Sequence, residues 1–110
     1  MKLEEFERLA QKRFDSCLGL MVGAKHKEYS RNSDKLHNFK IAGQILNKNP
    51  EDALLGMMIK HFVLVIDIVN DLPTPPTDAI LSEKITDSIN YLVLLEALLK
   101  ERMEGVTHDN

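Results

Sequence analysis

The chain has 110 residues and a mass of 12.5 kDa, which is room for one domain with one modest core and not for two. Hydrophobic residues make up 44% of it and charged residues 28%, values that exclude a disordered, core-less chain. The net charge of −3 argues against a non-specific nucleic-acid binder, which needs concentrated Lys and Arg.

Trp is absent and aromatics total 5%, so the core must come from Leu, Ile, Val and Met. That composition favours helices over strands. Cys17 is the single cysteine and cannot close an internal disulfide, so a reduced compartment is expected. No stretch approaches about 18 uninterrupted apolar residues, and no membrane span is expected. The N-terminal MKLEEFERLAQKR is charged and amphipathic and lacks the apolar core of a signal peptide.

The first predicted helix runs from Lys2 to about Lys27. Leu3, Phe6, Leu9, Ala10, Phe14, Cys17 and Met21 recur at three- and four-residue spacing. Gly19 and Gly23 weaken its second half, and Ser30-Arg31-Asn32-Ser33 reads as a loop. A shorter amphipathic helix follows from Asp34 to Leu46 and ends at Asn47-Lys48-Asn49. Asn49-Pro50-Glu51-Asp52 is the strongest helix start in the chain. Asn49 is a capping residue type, Pro50 fits the first helical position, and two acids complement the dipole. The helix that follows, to about Val69, is apolar nearly all round, as expected of a helix central in its domain or buried in an oligomer. Asp71 to Thr77 holds three prolines and cannot be helix. The last helix is predicted from Asp78 to Glu104, with 105–110 a flexible tail and 1–104 a single helical domain. The expected architecture is a compact all-α four-helix bundle.

Two polar stripes interrupt the two most apolar helices. Lys60, Asp67 and Asp71 share one, and Glu83, Asp87 and Asn90 share the other. Charges within apolar stripes must meet partners, water, ions or a ligand. One reading is a polar pocket between the helices. There Asp67, Glu83 and Asp87 would hold a divalent cation such as Mg²⁺, or bind sugar hydroxyls or base edges. The other reading is a Lys60–carboxylate network or solvated edges. The segments Lys25–Ser30 and Asp34–Phe39 are dense in cations, imidazoles, a phenol and an amide, as a ligand clamp or an ordinary capped loop would be. His61, on an apolar helix, reads as a satisfied core histidine rather than a ligand, and Cys17 as inert core. The histidine spacings match no zinc pattern.

K-H-K-E-Y-S at 25–30, D-K-L-H-N-F-K at 34–40, A-L-L-G-M-M-I-K-H at 53–61 and E-K-I-T-D-S-I-N-Y-L-V-L-L-E-A-L from 83 resemble a family of small proteins from phages and prophages of Gram-positive bacteria. More distantly, the K-x-x-x-Y and D-x-x-N-Y elements are similar to the nucleotide-modification-associated helical domain, a relative of the all-α MazG-like nucleotide pyrophosphatases. The resemblance implies a MazG-like bundle in the cytoplasm of a bacterial host. It also implies a nucleotide near Lys27, Tyr29, Lys60, Asp67, Glu83, Asp87, Asn90 and Tyr91. MazG-like enzymes hold Mg²⁺ between an E-x-x-E helix and an E-x-x-D helix. Here Glu83 and Asp87 are four apart, and the central helix supplies Asp67 and Asp71 with no E-x-x-E. The first functional expectation is therefore capture of a nucleotide or nucleotide-derived signal without hydrolysis, blunting a host defence. The alternatives are a Mg²⁺-dependent nucleotide pyrophosphatase and a protein that inhibits a host defence complex. A homo-oligomer is expected, because three short helices cannot cover the helix from Asn49 to Val69.

Overall fold

The computed structural model describes residues 1–23, 34–71 and 74–108, the last three of these by backbone alone. Four α-helices form: α1 Leu3–Val22, α2 His37–Leu46, α3 Pro50–Asn70 and α4 Asp78–His108, with no strand among the described residues. The all-α expectation holds. None of these helices is long and apolar enough to cross a membrane.

Local chemistry explains most of the helix ends. α1 stops at Val22, before Gly23, and the rest of its predicted span lies outside the described residues. Asp34 starts the second helical segment. Its Oδ1 accepts from the Leu36 amide at 3.0 Å, and its Oδ2 accepts from Lys40 Nζ at 2.7 Å. α2 closes at Asn47, whose φ of 54° is left-handed and whose amide donates to the Gln44 and Gly43 carbonyls. The turn then folds back against Gly43, where a Cβ would meet the Lys48 carbonyl oxygen at 2.8 Å. Only glycine lets the backbone come this close.

α3 starts with Pro50 in its first turn, as predicted, but Asn49 makes no side-chain cap. Thr77 caps α4 instead, its Oγ1 accepting from the Ile80 amide at 3.2 Å. α4 also overruns its predicted end. It continues through Gly105 to His108, so the helix reaches into the stretch read as a tail. One glycine costs only about 1 kcal/mol in a helix and does not stop one by itself.

α3 and α4 run antiparallel. Glu51, in the first turn of α3, lies 3.6 Å from Arg102 near the far end of α4, and His61 lies beside Asp87 further along. The core between them and α2 is small: Leu36, Leu54, Met58 and Leu98, with Phe39, Phe62, Tyr91, Leu94 and Leu95 packed against it. α1 is pinned to the first half of α4 by Arg13, whose guanidinium donates to Ser82 Oγ and, at 2.9 Å, to Thr86 Oγ1. Cys17 is buried beside that contact and free, as read from the sequence. The expected compactness is not observed. The radius of gyration is 16.5 Å, against about 13 Å for a globular chain of this length, and the molecule measures 53 × 28 × 25 Å.

Lys40 also reaches Glu101, tying α2 to α4. The hydrogen bond from Lys40 holds the Asp34 carboxyl below its ordinary value, and Asp34, then Glu101, hold the Lys40 ammonium above its own. The signs follow. Asp34 adds stability above the ordinary carboxylate range and loses it as pH falls through its lowered value. Lys40 adds stability below the ordinary lysine value and loses it as pH rises through its raised one. We therefore expect Lys40→Met to cost about 0.5 kcal/mol at neutral pH, since the groups are one-third exposed and screened. The deficit should vanish at both pH extremes. Urea unfolding of both proteins at acid, neutral and alkaline pH checks this.

Candidate small-molecule site

One cavity of about 300 Å³ opens where α2 crosses the α3–α4 pair and the end of α1. α4 contributes Asp87, Asn90, Tyr91 and Leu94, α3 contributes His61, and α1 contributes Leu20 and Met21. Lys35, Asn38 and Phe39 come from α2 and the turn before it. The helical repeat explains the α4 set. Asp87, Asn90, Tyr91 and Leu94 are spaced three and four apart and therefore share one face.

The cavity joins an aromatic wall to a few polar groups. The rings of His61 and Tyr91 lie 4.8 Å apart at 32°, and Phe39 meets Tyr91 edge-on at 6.5 Å. His61 Nδ1 is 3.6 Å from Asp87 Oδ2, beyond hydrogen-bond reach. His61 Nδ1 and Asn90 Oδ1 are both buried, and neither has a hydrogen-bond partner among the described residues. Asn90 is only 6% exposed. Buried polar atoms are nearly always paired, so two unpaired ones on one cavity mark a surface organised for something else to bind.

Burial raises the Tyr91 phenol above its ordinary value, and the nearby Asp87 carboxylate adds to the shift. The phenol is therefore a neutral hydrogen-bond donor across the ordinary pH range. Burial lowers the Lys35 ammonium from its usual value. Lys35 Nζ donates to the Met21 carbonyl at 2.7 Å, its one hydrogen bond among the described residues.

Of the residues singled out in the sequence, the structure brings together Asp87, Asn90 and Tyr91. Lys60, Asp67 and Glu83 are exposed and do not line the cavity. For Lys60 and Asp67 the reason is rotational, whereas Glu83 shares the face of Asp87 but lies one turn before it on α4. His61 faces α4, and Lys60 sits about 100° away on the same turn. Glu83 meets Lys84 at 3.3 Å on the surface. The metal set Asp67, Glu83 and Asp87 does not assemble. Among the described residues no group of three or more His, Cys, Asp and Glu side chains could hold an ion. Lys27 and Tyr29 lie outside the described residues.

From the Asp34–Phe39 segment, Lys35, Asn38 and Phe39 line the cavity. The reading of His61 as a satisfied core histidine is corrected, because its Nδ1 is buried without a partner among the described residues and its ring forms part of the wall. The signal for it is present in the sequence: His61 is the sole imidazole on a mostly apolar helix.

Fold and site together define an all-α chain with a small mixed aromatic–polar pocket. Comparison with protein-family models, with curated proteins and with solved structures returns no match for the chain.

Proposed function

We propose that the protein captures a nucleotide or nucleotide-derived small molecule in the His61–Asp87–Asn90–Tyr91 cavity, without consuming it. The observation that carries this reading is the pair of buried atoms, Asn90 Oδ1 and His61 Nδ1, without a hydrogen-bond partner among the described residues, on a cavity walled by Tyr91 and Phe39. The cavity, at about 300 Å³, is at the small end of ligand sites and suits one heterocyclic ring system rather than a polymer. Aromatic rings stack on a base, and the Asn38 and Asn90 amides with the Asp87 carboxylate supply donors and acceptors for its edge. Lys35 is the cation at the rim for a phosphate. The scattered carboxylates favour binding over Mg²⁺-dependent hydrolysis. The phage resemblance of the motifs supports a role in sequestering a host signal nucleotide, with a MazG-like ancestry for the bundle.

The test is calorimetry with a panel of nucleoside mono-, di- and triphosphates and cyclic and linear dinucleotides, followed by mass spectrometry of the recovered ligand. We expect at least one member to bind and to be recovered intact. For that ligand, Asp87→Ala and Lys35→Met should each weaken binding by on the order of 1–3 kcal/mol. No binding by any member would overturn the nucleotide reading. Recovery of a cleaved product would replace capture by catalysis.

A further inference from the structure

The side of the α3–α4 pair that faces away from the cavity is apolar and uncovered. On α3, Leu55, Ile59, Val63 and Ile66 are 37%, 57%, 48% and 55% exposed. Their spacing makes one stripe, closed at its two ends by Asp52 and Asn70. On α4, Leu81, Leu92 and Leu99 form a second stripe, each at least 41% exposed. With Ile85 they repeat in steps of four and seven, the spacing of a helix that packs along its length against a partner.

Both stripes lie on one side. Counting 100° per residue, each is rotated by roughly 120° from the face its helix turns to the other, and in the same sense along the chain. In an antiparallel pair, equal rotations of the same sense point to the same side. The Glu51–Arg102 pair fits this geometry, since both residues are rotated the same way by a smaller amount. Ser82 and Thr86, which hold Arg13 of α1, are rotated in the opposite sense. So α1 and the cavity occupy one side of the hairpin, and the two stripes occupy the other.

We propose that this bare face is the interface with a second copy of the chain, forming an antiparallel four-helix core about a two-fold axis. The area of the whole chain, bare apolar residues of α1 included, leaves room for a partner, and the form of the α3 stripe points to a second copy as that partner. The chain exposes 8406 Å², whereas a folded monomer of 12.5 kDa exposes about 6,200 Å². The excess of about 2,200 Å² exceeds the roughly 800 Å² per partner of a standard interface. The stripe on α3 is also self-complementary. Its centre falls between Ile59 and Val63, so a two-fold there sets Ile59 of each copy against Val63 of the other and Leu55 against Ile66. The same axis brings Asp52 at one end of the stripe to Asn70 at the other, a polar pair closing each end. Ile59 and Val63 thereby become the middle of a core.

Sedimentation equilibrium of the full chain tests this. The wild type should sediment at about 25 kDa at micromolar concentration. Ile59→Glu should raise the dimer dissociation constant at least about 100-fold while circular dichroism stays helical, because a buried unpaired charge is costly. Ile45→Glu makes the same change at a 78% exposed residue of α2 and should leave the dimer intact. If Ile59→Glu unfolds outright, Ile59→Ala with Val63→Ala serves instead, with an expected rise of at least about tenfold. A monomeric wild type, an unchanged dissociation constant in the α3 variants, or dissociation by Ile45→Glu alone would each overturn the proposal.

Discussion

Leu54→Ala should destabilise the protein by about 2–5 kcal/mol. Among the described residues Leu54 is the one large side chain at 0% exposure, and it sits among Leu36, Met58 and Leu98. Its removal loses the transfer energy of the deleted methyls and leaves a cavity that neighbours on α3, on α4 and at the start of α2 cannot jointly close. The core is so small that nothing redistributes the loss. Small domains hold about 5–15 kcal/mol in all, so one substitution here should consume a third or more of the total. Urea unfolding at fixed protein concentration should show a lower midpoint with an unchanged slope. Ile45→Ala, at 78% exposure, should change stability by less than about 0.5 kcal/mol. A cost below about 1 kcal/mol for Leu54→Ala would mean that the centre of packing lies elsewhere.

Helices were the most legible feature of this sequence, and partners the least. The Pro50 start and the prolines at 73, 75 and 76 mark boundaries through backbone sterics, which act locally and can be read without tertiary information. Gly105 acts differently. It lowers helix propensity but forbids nothing, and α4 continues through it. The unusual apolarity of α3 was visible as a pattern, yet the pattern could not say which of its faces the chain covers. In the folded chain Leu54 and Met58 are covered, while Ile59 and Val63 are bare.

The site was half legible for a related reason. Periodicity places Asp87, Asn90 and Tyr91 on one face of α4 whatever that face meets. It does not fix the rotation of α3 against α4, and that rotation decides between Lys60 and His61 as the residue on the cavity. A choice between adjacent residues on a helix is a choice of about 100°, larger than the width of the packed face. Glu83 misses the cavity for a different reason: it shares the face of Asp87 but lies one turn before it, exposed beside Lys84.

Asn90→Leu should stabilise the ligand-free protein by about 1–2 kcal/mol and abolish ligand capture. Asn90 Oδ1 is buried, on a residue 6% exposed, and has no hydrogen-bond partner among the described residues. Such an acceptor gives up its bonds to water on folding and recovers none, a cost of about 1–3 kcal/mol. Leucine has nearly the same shape and carries no polar group to desolvate, and it would extend the apolar wall made by Tyr91 and Leu94. A residue serving only the fold would show the reverse, because replacing a satisfied core amide destabilises. A gain in stability with a loss of binding therefore identifies an acceptor kept for a ligand at the expense of the empty protein. Thermal unfolding with and without the ligand found in the nucleotide panel reads both effects in one experiment. The wild type should gain stability when ligand is added, the variant should start higher, and ligand should not move it. A variant that is less stable than the wild type, or that still responds to the ligand, would make Asn90 a structural residue and shift recognition to Asp87 and Lys35.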